Sequence, residues 1–122
     1  MYHTILLVDD NSDLLDLLAP TLRCCGYNVL EADSAEQARH IFDTHQGRID
    51  LLLCDIVMPG MGGPQLAETL ILTTPAMRLL FMSGYQVAHE SFPVPLSVPA
   101  DFIQKPFTLS RLVDRVDHAL AS

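Results

Sequence analysis

Short apolar runs alternate with longer segments of helical periodicity along this chain. The clearest run covers residues 51–54, leads into Asp55 and, after three further residues, breaks at Pro59-Gly60. A continuous apolar run of strand length that ends in turn residues is typical of a strand buried on both faces of a parallel sheet. Four more strands are predicted at residues 4–8, 27–32, 78–82 and 101–104.

The first two strands are each followed by a predicted helix. Ser12 is placed as the N-cap of a leucine-rich segment, and Gly26 as the residue that follows its C-cap. Pro20 lies inside that segment and is expected to kink or split the helix. The second helix opens with a capping box formed by Ser34 and Gln37 and is expected to end near residue 47.

The later helices are predicted from start and stop residues. Pro64 suits the first position of a third helix, which Thr74-Pro75 should stop. Thr108 should cap the last helix, whose apolar residues share one face. Between residues 85 and 100 several prolines weaken the pattern, and only a short helix over residues 86–91 is expected.

The predicted order is strand then helix, five times, without a hairpin signal. This order indicates one α/β domain over residues 1–122, with a parallel sheet and helices on both of its faces. Periodicity leaves the strand order open. In any parallel sheet, however, all carboxyl ends lie along one edge, where open α/β sheets build their sites.

Composition and charge narrow the class of protein. The 122 residues are 49% hydrophobic, with 15 acidic and 7 basic residues and a net charge of -8. This balance argues against direct nucleic-acid binding, which depends on cationic contacts to phosphates, and is compatible with a divalent cation or a basic partner. No apolar run approaches the ~20 residues of a membrane span and no signal peptide opens the chain, so a cytoplasmic location without membrane contact is expected.

The three cysteines carry no predicted chemistry. Their number is odd, and none of them has metal-ligand spacing. Cys24 and Cys25 are interpreted as small residues at a helix end, and Cys54 as a buried strand residue.

Polar side chains follow four of the predicted strands at their carboxyl ends. They are Asp9 and Asp10, Asp55, Ser83 and Lys105. Three carboxylates repel one another unless cations intervene, and Mg²⁺ favours oxygen ligands. The set therefore predicts a magnesium site suited to phosphoryl transfer, with Asp55 as nucleophile and with Lys105 and Ser83 on the phosphoryl oxygens.

Simpler readings exist for each of these residues. Asp9 and Asp10 could serve only to pair with a helix N-terminus, Lys105 could be a solvated lysine, and Ser83 a turn residue. Capping alone does not explain Asp55 and Lys105 together. The glycine-rich loop at residues 60–63 lacks the lysine and the spacing of a phosphate-binding loop.

Four motifs in order resemble the receiver domain of two-component response regulators. They are Val8-Asp9-Asp10, Asp55 followed by Met58-Pro59-Gly60, Met82-Ser83-Gly84-Tyr85, and Lys105-Pro106-Phe107. The resemblance covers essentially the whole chain and looks closest to receivers attached to hybrid sensor histidine kinases. It implies a flavodoxin-like (βα)5 three-layer sandwich with sheet order 2-1-3-4-5. It also implies a phosphorelay switch rather than an enzyme, phosphorylated by a histidine kinase or a histidine phosphotransfer domain.

The resemblance also implies a role for each site residue. Asp55 is the implied phosphoacceptor, and Ser83 and Lys105 bind the phosphoryl group. Mg²⁺ is bound by Asp10, Asp55 and the backbone carbonyl of Val57, whereas Asp9 contributes through water. The Lys105-Pro106 bond is expected to be cis. A monomer or weak dimer is expected, either working alone or as a piece of a larger chain.

Three positions depart from what is common in this family. Phe102 stands where a tyrosine often acts as a rotameric switch with Ser83, so a softer switch is expected. Neither Val57 nor Tyr85 carries an acid or amide that could orient water for attack on an acyl phosphate, so slow self-dephosphorylation is expected. The proline-rich span 91–99 indicates either a reshaped partner surface or an ordinary packed loop.

Other functions remain as hypotheses. A degenerate receiver used only for docking is opposed by the intact set of acids, hydroxyl and lysine. Aspartate-nucleophile phosphatases typically place a second aspartate where this chain has Val57. A flavin-binding domain of the same fold would need a phosphate loop and aromatic flavin contacts, which the sequence does not offer.

Overall fold

The computed structural model describes residues 2–84 and 96–121. Within them the chain forms five strands, β1 (Thr4–Val8), β2 (Asn28–Ala32), β3 (Leu51–Asp55), β4 (Arg78–Ser83) and β5 (Asp101–Gln104). All strand pairs are parallel and the order is β2-β1-β3-β4-β5. The parallel sheet and its implied order are confirmed.

Four helices are described, α1 (Ser12–Cys24), α2 (Ala35–Thr44), α3 (Gly63–Ile71) and α4 (Leu109–Ala121). Alternate strand residues point to opposite faces, so Ile5 and Leu7 join one core and Leu6 and Val8 the other. The core that contains Ile5 is closed by α1 and α4, whereas α2 and α3 close the other. The result is the expected three-layer arrangement, with the sheet buried on both faces.

The first helix begins one residue away from its predicted cap and continues through Pro20. Asn11, not Ser12, is the N-cap, because its side chain accepts hydrogen bonds from the backbone N–H groups of Asp13 and Leu14. Pro20 does not split the helix, which runs through it without a break. Pro20 lies on the exposed side, where water can bond the carbonyl that the missing N–H leaves free.

The end of α1 follows its prediction. Gly26 has φ of 93°, its N–H donates to the Arg23 carbonyl at 3.0 Å, and the N–H of Tyr27 donates to the Leu22 carbonyl at 3.2 Å. These two bonds form a Schellman motif, which needs a left-handed residue after the C-cap. Glycine adopts that conformation without steric cost.

The other helix starts are mostly as predicted. Ser34 accepts from the Gln37 N–H at 3.1 Å, and the Gln37 side chain accepts from the backbone of Asp33. Thr108 accepts from the Arg111 N–H at 3.1 Å. Pro64 occupies the second helical position rather than the first, because α3 already begins at Gly63.

Helix α2 ends at Thr44, earlier than predicted, whereas α3 reaches Ile71 and ends before Thr74-Pro75 as predicted. The helix expected over residues 86–91 lies outside the described residues, as does the first part of the proline-rich span. Its last part is described: Leu96 and Val98 are partly buried against the core beneath α3. Within the described ranges no helix has the length and apolar character needed to cross a membrane.

Candidate functional site

The carboxyl edge of the sheet gathers the polar residues that end four strands. Asp9 and Asp10 follow β1, Asp55 ends β3, Ser83 ends β4 and Lys105 follows β5. The three strands β1, β3 and β4 are direct neighbours, so their ends lie side by side. The sequence placed these residues at one edge, and the structure brings them together there.

An acidic cluster lies at the centre of this edge. Carboxylate oxygens of Asp9, Asp10 and Asp55 all fall within 4.8 Å of one another. Asp9 is buried, Asp10 is exposed and Asp55 is intermediate. The cluster therefore has one carboxylate inside the fold and one open to solvent, with Asp55 between these extremes.

Asp9 is held on both of its oxygens. Its Oδ1 accepts a hydrogen bond from the Asn11 backbone N–H at 2.9 Å, and its Oδ2 lies 3.0 Å from Lys105 Nζ. Its side chain is 1% exposed, so an unpaired charge there would be costly. Sequence reasoning missed Asn11, which caps α1 and orients Asp9 at once. The sequence signal for this role was an asparagine, a residue type that often caps helices, two positions after the buried acid.

Lys105 joins the cluster from β5. Its Nζ lies 3.6 Å from Asp55 Oδ2 in addition to its closer contact with Asp9. Its backbone N–H donates to the Ser83 carbonyl at 2.6 Å, which extends the β4–β5 pairing by one residue. The Lys105-Pro106 peptide bond is cis, as expected. The lysine is thus fixed by its backbone and shared between two carboxylates.

The surroundings of Asp55 disfavour the ionised form of its carboxyl group. Burial is the largest cause that raises its pKa above the usual range. Lys105 and a backbone hydrogen bond from Val57 lower it, while the charges of Asp9 and Asp10 raise it further. The net direction is upward, so additional positive charge at this point would stabilise the carboxylate.

The donor set suits a hard divalent cation. Three carboxylates and one ammonium leave a formal charge of -2 when all are ionised. Oxygen ligands, an exposed carboxylate and room for water on the solvent side are the conditions under which Mg²⁺ binds. The raised pKa of Asp55 also fits a position that needs a cation. These residues therefore fit a magnesium ion.

The remaining predicted residues that the structure describes lie in different environments. Ser83 is buried at 5% exposure, whereas Val57 is 69% exposed. The Phe102 ring packs against Phe81, with ring centroids 5.8 Å apart and planes tilted by 31°. Tyr85 lies outside the described residues. Val57 presents an exposed aliphatic side chain two residues after Asp55.

Gly63 is a functional position that sequence reasoning missed. A Cβ there would clash with the Asp55 carbonyl oxygen and press on Cys54 Sγ at 3.1 Å. Its N–H donates to the Ile56 carbonyl at 3.0 Å. The first turn of α3 therefore rests directly on the backbone of Asp55. Its only sequence signal was one glycine among several in the loop.

A mainly apolar groove opens beside Lys105. It has a volume of about 310 Å³ and is lined by Leu14, Leu17, Pro106, Phe107 and neighbouring residues of α1 and α4. Leu17 is 51% exposed, which is high for a large apolar side chain. The groove places an apolar surface next to the acidic cluster.

Comparison with known proteins gives the same family throughout. Residues 5–117 match the model of the response regulator receiver domain. A curated relative, the sensor kinase CckA of Brucella abortus, is 36% identical over 121 residues, which cover 96% of this chain. The chain spans only 12% of the length of that kinase.

Two solved structures have the same fold over nearly the whole chain. A CheY-like receiver domain protein from Methanospirillum hungatei has a TM-score of 0.86 at 28% identity, covering 99% of this chain and 95% of the other. The response regulator TrrA from Thermotoga maritima, solved in complex with Mg²⁺-BeF, has a TM-score of 0.81 at 27% identity, covering 97% and 99%. With the family model matching most of its length, this chain belongs to the response regulator receiver domains of two-component signalling.

Proposed function

We propose that this domain is a phosphoacceptor in a phosphorelay, with Asp55 receiving the phosphoryl group. The observation that carries the proposal is the joint presence of an acidic cluster and Lys105 around one strand-end carboxylate. The phosphoryl donor is a phosphohistidine of a kinase or of a phosphotransfer domain. The relative TrrA, solved with Mg²⁺-BeF, supports the choice of metal.

The reaction is an in-line displacement at phosphorus. A carboxylate oxygen of Asp55 forms a new P–O bond as the P–N bond of the phosphohistidine breaks. The bonding electrons return to the imidazole, which takes up a proton from solvent, and Asp55 becomes an acyl phosphate. Catalysis in such transfers comes mainly from position and charge, and both are available at this site.

Lys105 is placed to balance the charge of the transferred group. It already lies 3.6 Å from Asp55 Oδ2, so a small movement brings its ammonium to a phosphoryl oxygen. Ser83 lies at the end of the adjacent strand and is proposed to donate its hydroxyl proton to another phosphoryl oxygen. Each of these residues is fixed by strand pairing, which limits the cost of ordering it.

Asp10, Asp55 and the backbone carbonyl of Val57 are proposed to hold Mg²⁺, with Asp9 acting through water. When bound, the ion neutralises the carboxylates and the developing charge on phosphorus. Asp10 is exposed and free to ligate, whereas both oxygens of Asp9 are already bonded within the protein. This difference supports a direct role for Asp10 and an indirect one for Asp9.

Phe102 is proposed as a soft switch coupled to Ser83. The ring has no hydroxyl to fix either orientation, and it packs against the Phe81 ring. Movement of Ser83 toward a phosphoryl group would leave space for the Phe102 ring. The same Phe102 orientation in structures with and without Mg²⁺ and beryllofluoride would contradict a switch at this residue.

The groove along α1 is proposed to receive the histidine-bearing partner. Its apolar lining and exposed Leu17 lie beside Lys105, so a helix packed there would bring its histidine toward Asp55. The partner would then contact the groove and the phosphoacceptor at the same time. A kinase, or a histidine phosphotransfer domain, fits this arrangement.

The test uses phosphoramidate, a small compound with the P–N bond of a phosphohistidine. Modification should require Mg²⁺ and stop with excess EDTA, and Asp10→Asn should raise the Mg²⁺ concentration needed for half-maximal rate by roughly tenfold or more. Asp114→Asn, on the exposed side of α4, is the matched control. Equal modification rates with Mg²⁺ and with EDTA would contradict the proposed metal-assisted transfer.

A further inference from the structure

A pair of hydrogen bonds joins α3 to the segment that leads into β5. The carboxylate of Glu68 accepts from the Ser97 hydroxyl at 2.9 Å and from the Ser97 backbone N–H at 3.3 Å. The two residues are 29 positions apart and come from different parts of the fold. We call this pair the Glu68–Ser97 clasp.

The first end of the clasp is connected to the phosphoacceptor. Glu68 lies within α3, a short helix that begins at Gly63. Gly63 rests on the Asp55 carbonyl so closely that no side chain fits between them. A close-packed contact of this kind transmits displacement because it cannot be compressed. A shift of the backbone at Asp55 is therefore passed to α3.

The second end of the clasp is connected to the lysine. Only three residues separate Ser97 from β5, which begins at Asp101, and Lys105 directly follows that strand. Val98 and Ala100 lie in this short connection and pack against the core that α3 also covers. The connection is therefore held by this packing as well as by the clasp. A displacement of Ser97 is therefore passed to β5, which Lys105 directly follows.

We propose that the Glu68–Ser97 clasp is a latch that holds the resting state of the receiver and opens when Asp55 is phosphorylated. The clasp joins two connections into one path. This path runs from Asp55 through α3, across the hydrogen bonds between Glu68 and Ser97, and along β5 to Lys105. Lys105 Nζ and Asp55 Oδ2 are 3.6 Å apart, which leaves no room for a phosphorus atom and its oxygens between them. A phosphoryl group on Asp55 therefore requires Lys105 to move away from it, and the clasp opposes any part of this movement that β5 makes away from α3.

The latch rests on the proposed function, and the coupling must be reciprocal. If modification of Asp55 opens the clasp, removal of the clasp must favour modification by the same factor. An exposed hydrogen bond makes a modest net contribution, so a change in affinity of roughly three- to fivefold is expected. Removal of the clasp should increase the affinity.

The test measures beryllofluoride affinity in excess Mg²⁺ by ¹⁹F NMR titration. Glu68→Ala and Ser97→Ala should each bind more tightly than wild type, and the double variant should gain little over Glu68→Ala. Thr69→Ala is the matched control, because Thr69 lies next to Glu68 on α3 and, among the described residues, bonds only its own helix, at the Gln65 carbonyl. It should bind as wild type does.

A second measurement observes the clasp itself. Hydrogen exchange of the Ser97 amide should speed up in wild type when Mg²⁺ and beryllofluoride are added, and should already be fast in Glu68→Ala. Unchanged affinity in both clasp variants, or an unchanged Ser97 exchange rate in wild type, would overturn the latch. Failure of wild type to bind beryllofluoride at all would instead overturn the proposed function.

Discussion

Lys105 Nζ lies 3.0 Å from Asp9 Oδ2, closer than its 3.6 Å to the proposed phosphoacceptor. The lysine side chain is 27% exposed, whereas that of Asp9 is 1% exposed. The lysine therefore lies closer to the buried acid than to Asp55. We expect its ammonium to become available to a phosphoryl group when a cation binds to the other carboxylates.

Removal of this lysine should destabilise the metal-free protein. Lys105→Gln leaves Asp9 with one hydrogen bond and no counter-charge, at a cost of about 1–3 kcal/mol in the free energy of unfolding. Urea unfolding in EDTA measures this. Asp9→Asn combined with Lys105→Gln should restore part of the loss, and Arg39→Gln, an exposed arginine, should change stability by less than about 0.5 kcal/mol. Equal stability of Lys105→Gln and wild type would contradict the pairing.

Asp55→Asn should stabilise the metal-free protein at neutral pH. Burial raises the folded-state pKa of Asp55 above its unfolded value. The stability that protonated Asp55 contributes to the folded protein is therefore fully present at pH values below its unfolded-state pKa. This stability is lost as pH rises through its folded-state pKa. The gain from Asp55→Asn should thus be largest at neutral pH and shrink toward pH 4.

Urea unfolding of both proteins in EDTA, from pH 4 to pH 8, measures this difference. Asp114→Asn serves as the exposed-carboxylate control. The pH dependence of the Asp55→Asn gain isolates the titration of Asp55, because the remaining carboxylates are common to both proteins. Loss of stability in Asp55→Asn at neutral pH would contradict the unfavourable ionised state of Asp55.

Gly63→Ala should damage both stability and phosphorylation. The new methyl group would clash with the Asp55 carbonyl, and the resulting overpacking should cost about 1–3 kcal/mol in the free energy of unfolding. Gly84→Ala is the comparison, because a Cβ there meets no atom of residues 2–84 and 96–121 within 4 Å. Similar stabilities of the two variants would mean that α3 does not rest on the Asp55 backbone.

The sequence predicted the site better than it predicted the local geometry around it. Asp9, Asp55 and Lys105 could be placed together because the carboxyl ends of parallel strands share an edge. The closer contact of Lys105 with Asp9 than with Asp55 accompanies the deeper burial of Asp9, which periodicity does not reveal. The Glu68–Ser97 clasp joins residues 29 positions apart and has no local signal.

Helix boundaries show a similar limit for local signals. Asn11 and Ser12 are both good caps, and only the backbone conformation at Asn11 decides between them. Pro20 lies in a helix because the buried leucines on the opposite side outweigh one lost hydrogen bond. The backbone conformation at the cap and the packing of the buried leucines are both properties of the folded chain, which local sequence signals do not reveal.

The phosphorylated state should be long-lived because Val57 offers no group to orient water. Its side chain is 69% exposed, so a longer polar residue there can reach solvent near Asp55. Val57→Gln should shorten the lifetime of the acyl phosphate by roughly tenfold or more, and Val57→Leu should not. The lifetime is measured as loss of the phosphate adduct in excess Mg²⁺. Loss within seconds in wild type, unaltered by shrinking Tyr85, would contradict slow self-dephosphorylation.

The most direct test of the phosphoacceptor role is the intact mass of the protein after incubation with acetyl phosphate and Mg²⁺. Wild type should gain the mass of one phosphoryl group, and Asp55→Asn, which keeps the shape of the side chain without a nucleophilic carboxylate, should gain none. An adduct on both proteins, or on neither, would contradict the assignment of Asp55 as the phosphoacceptor.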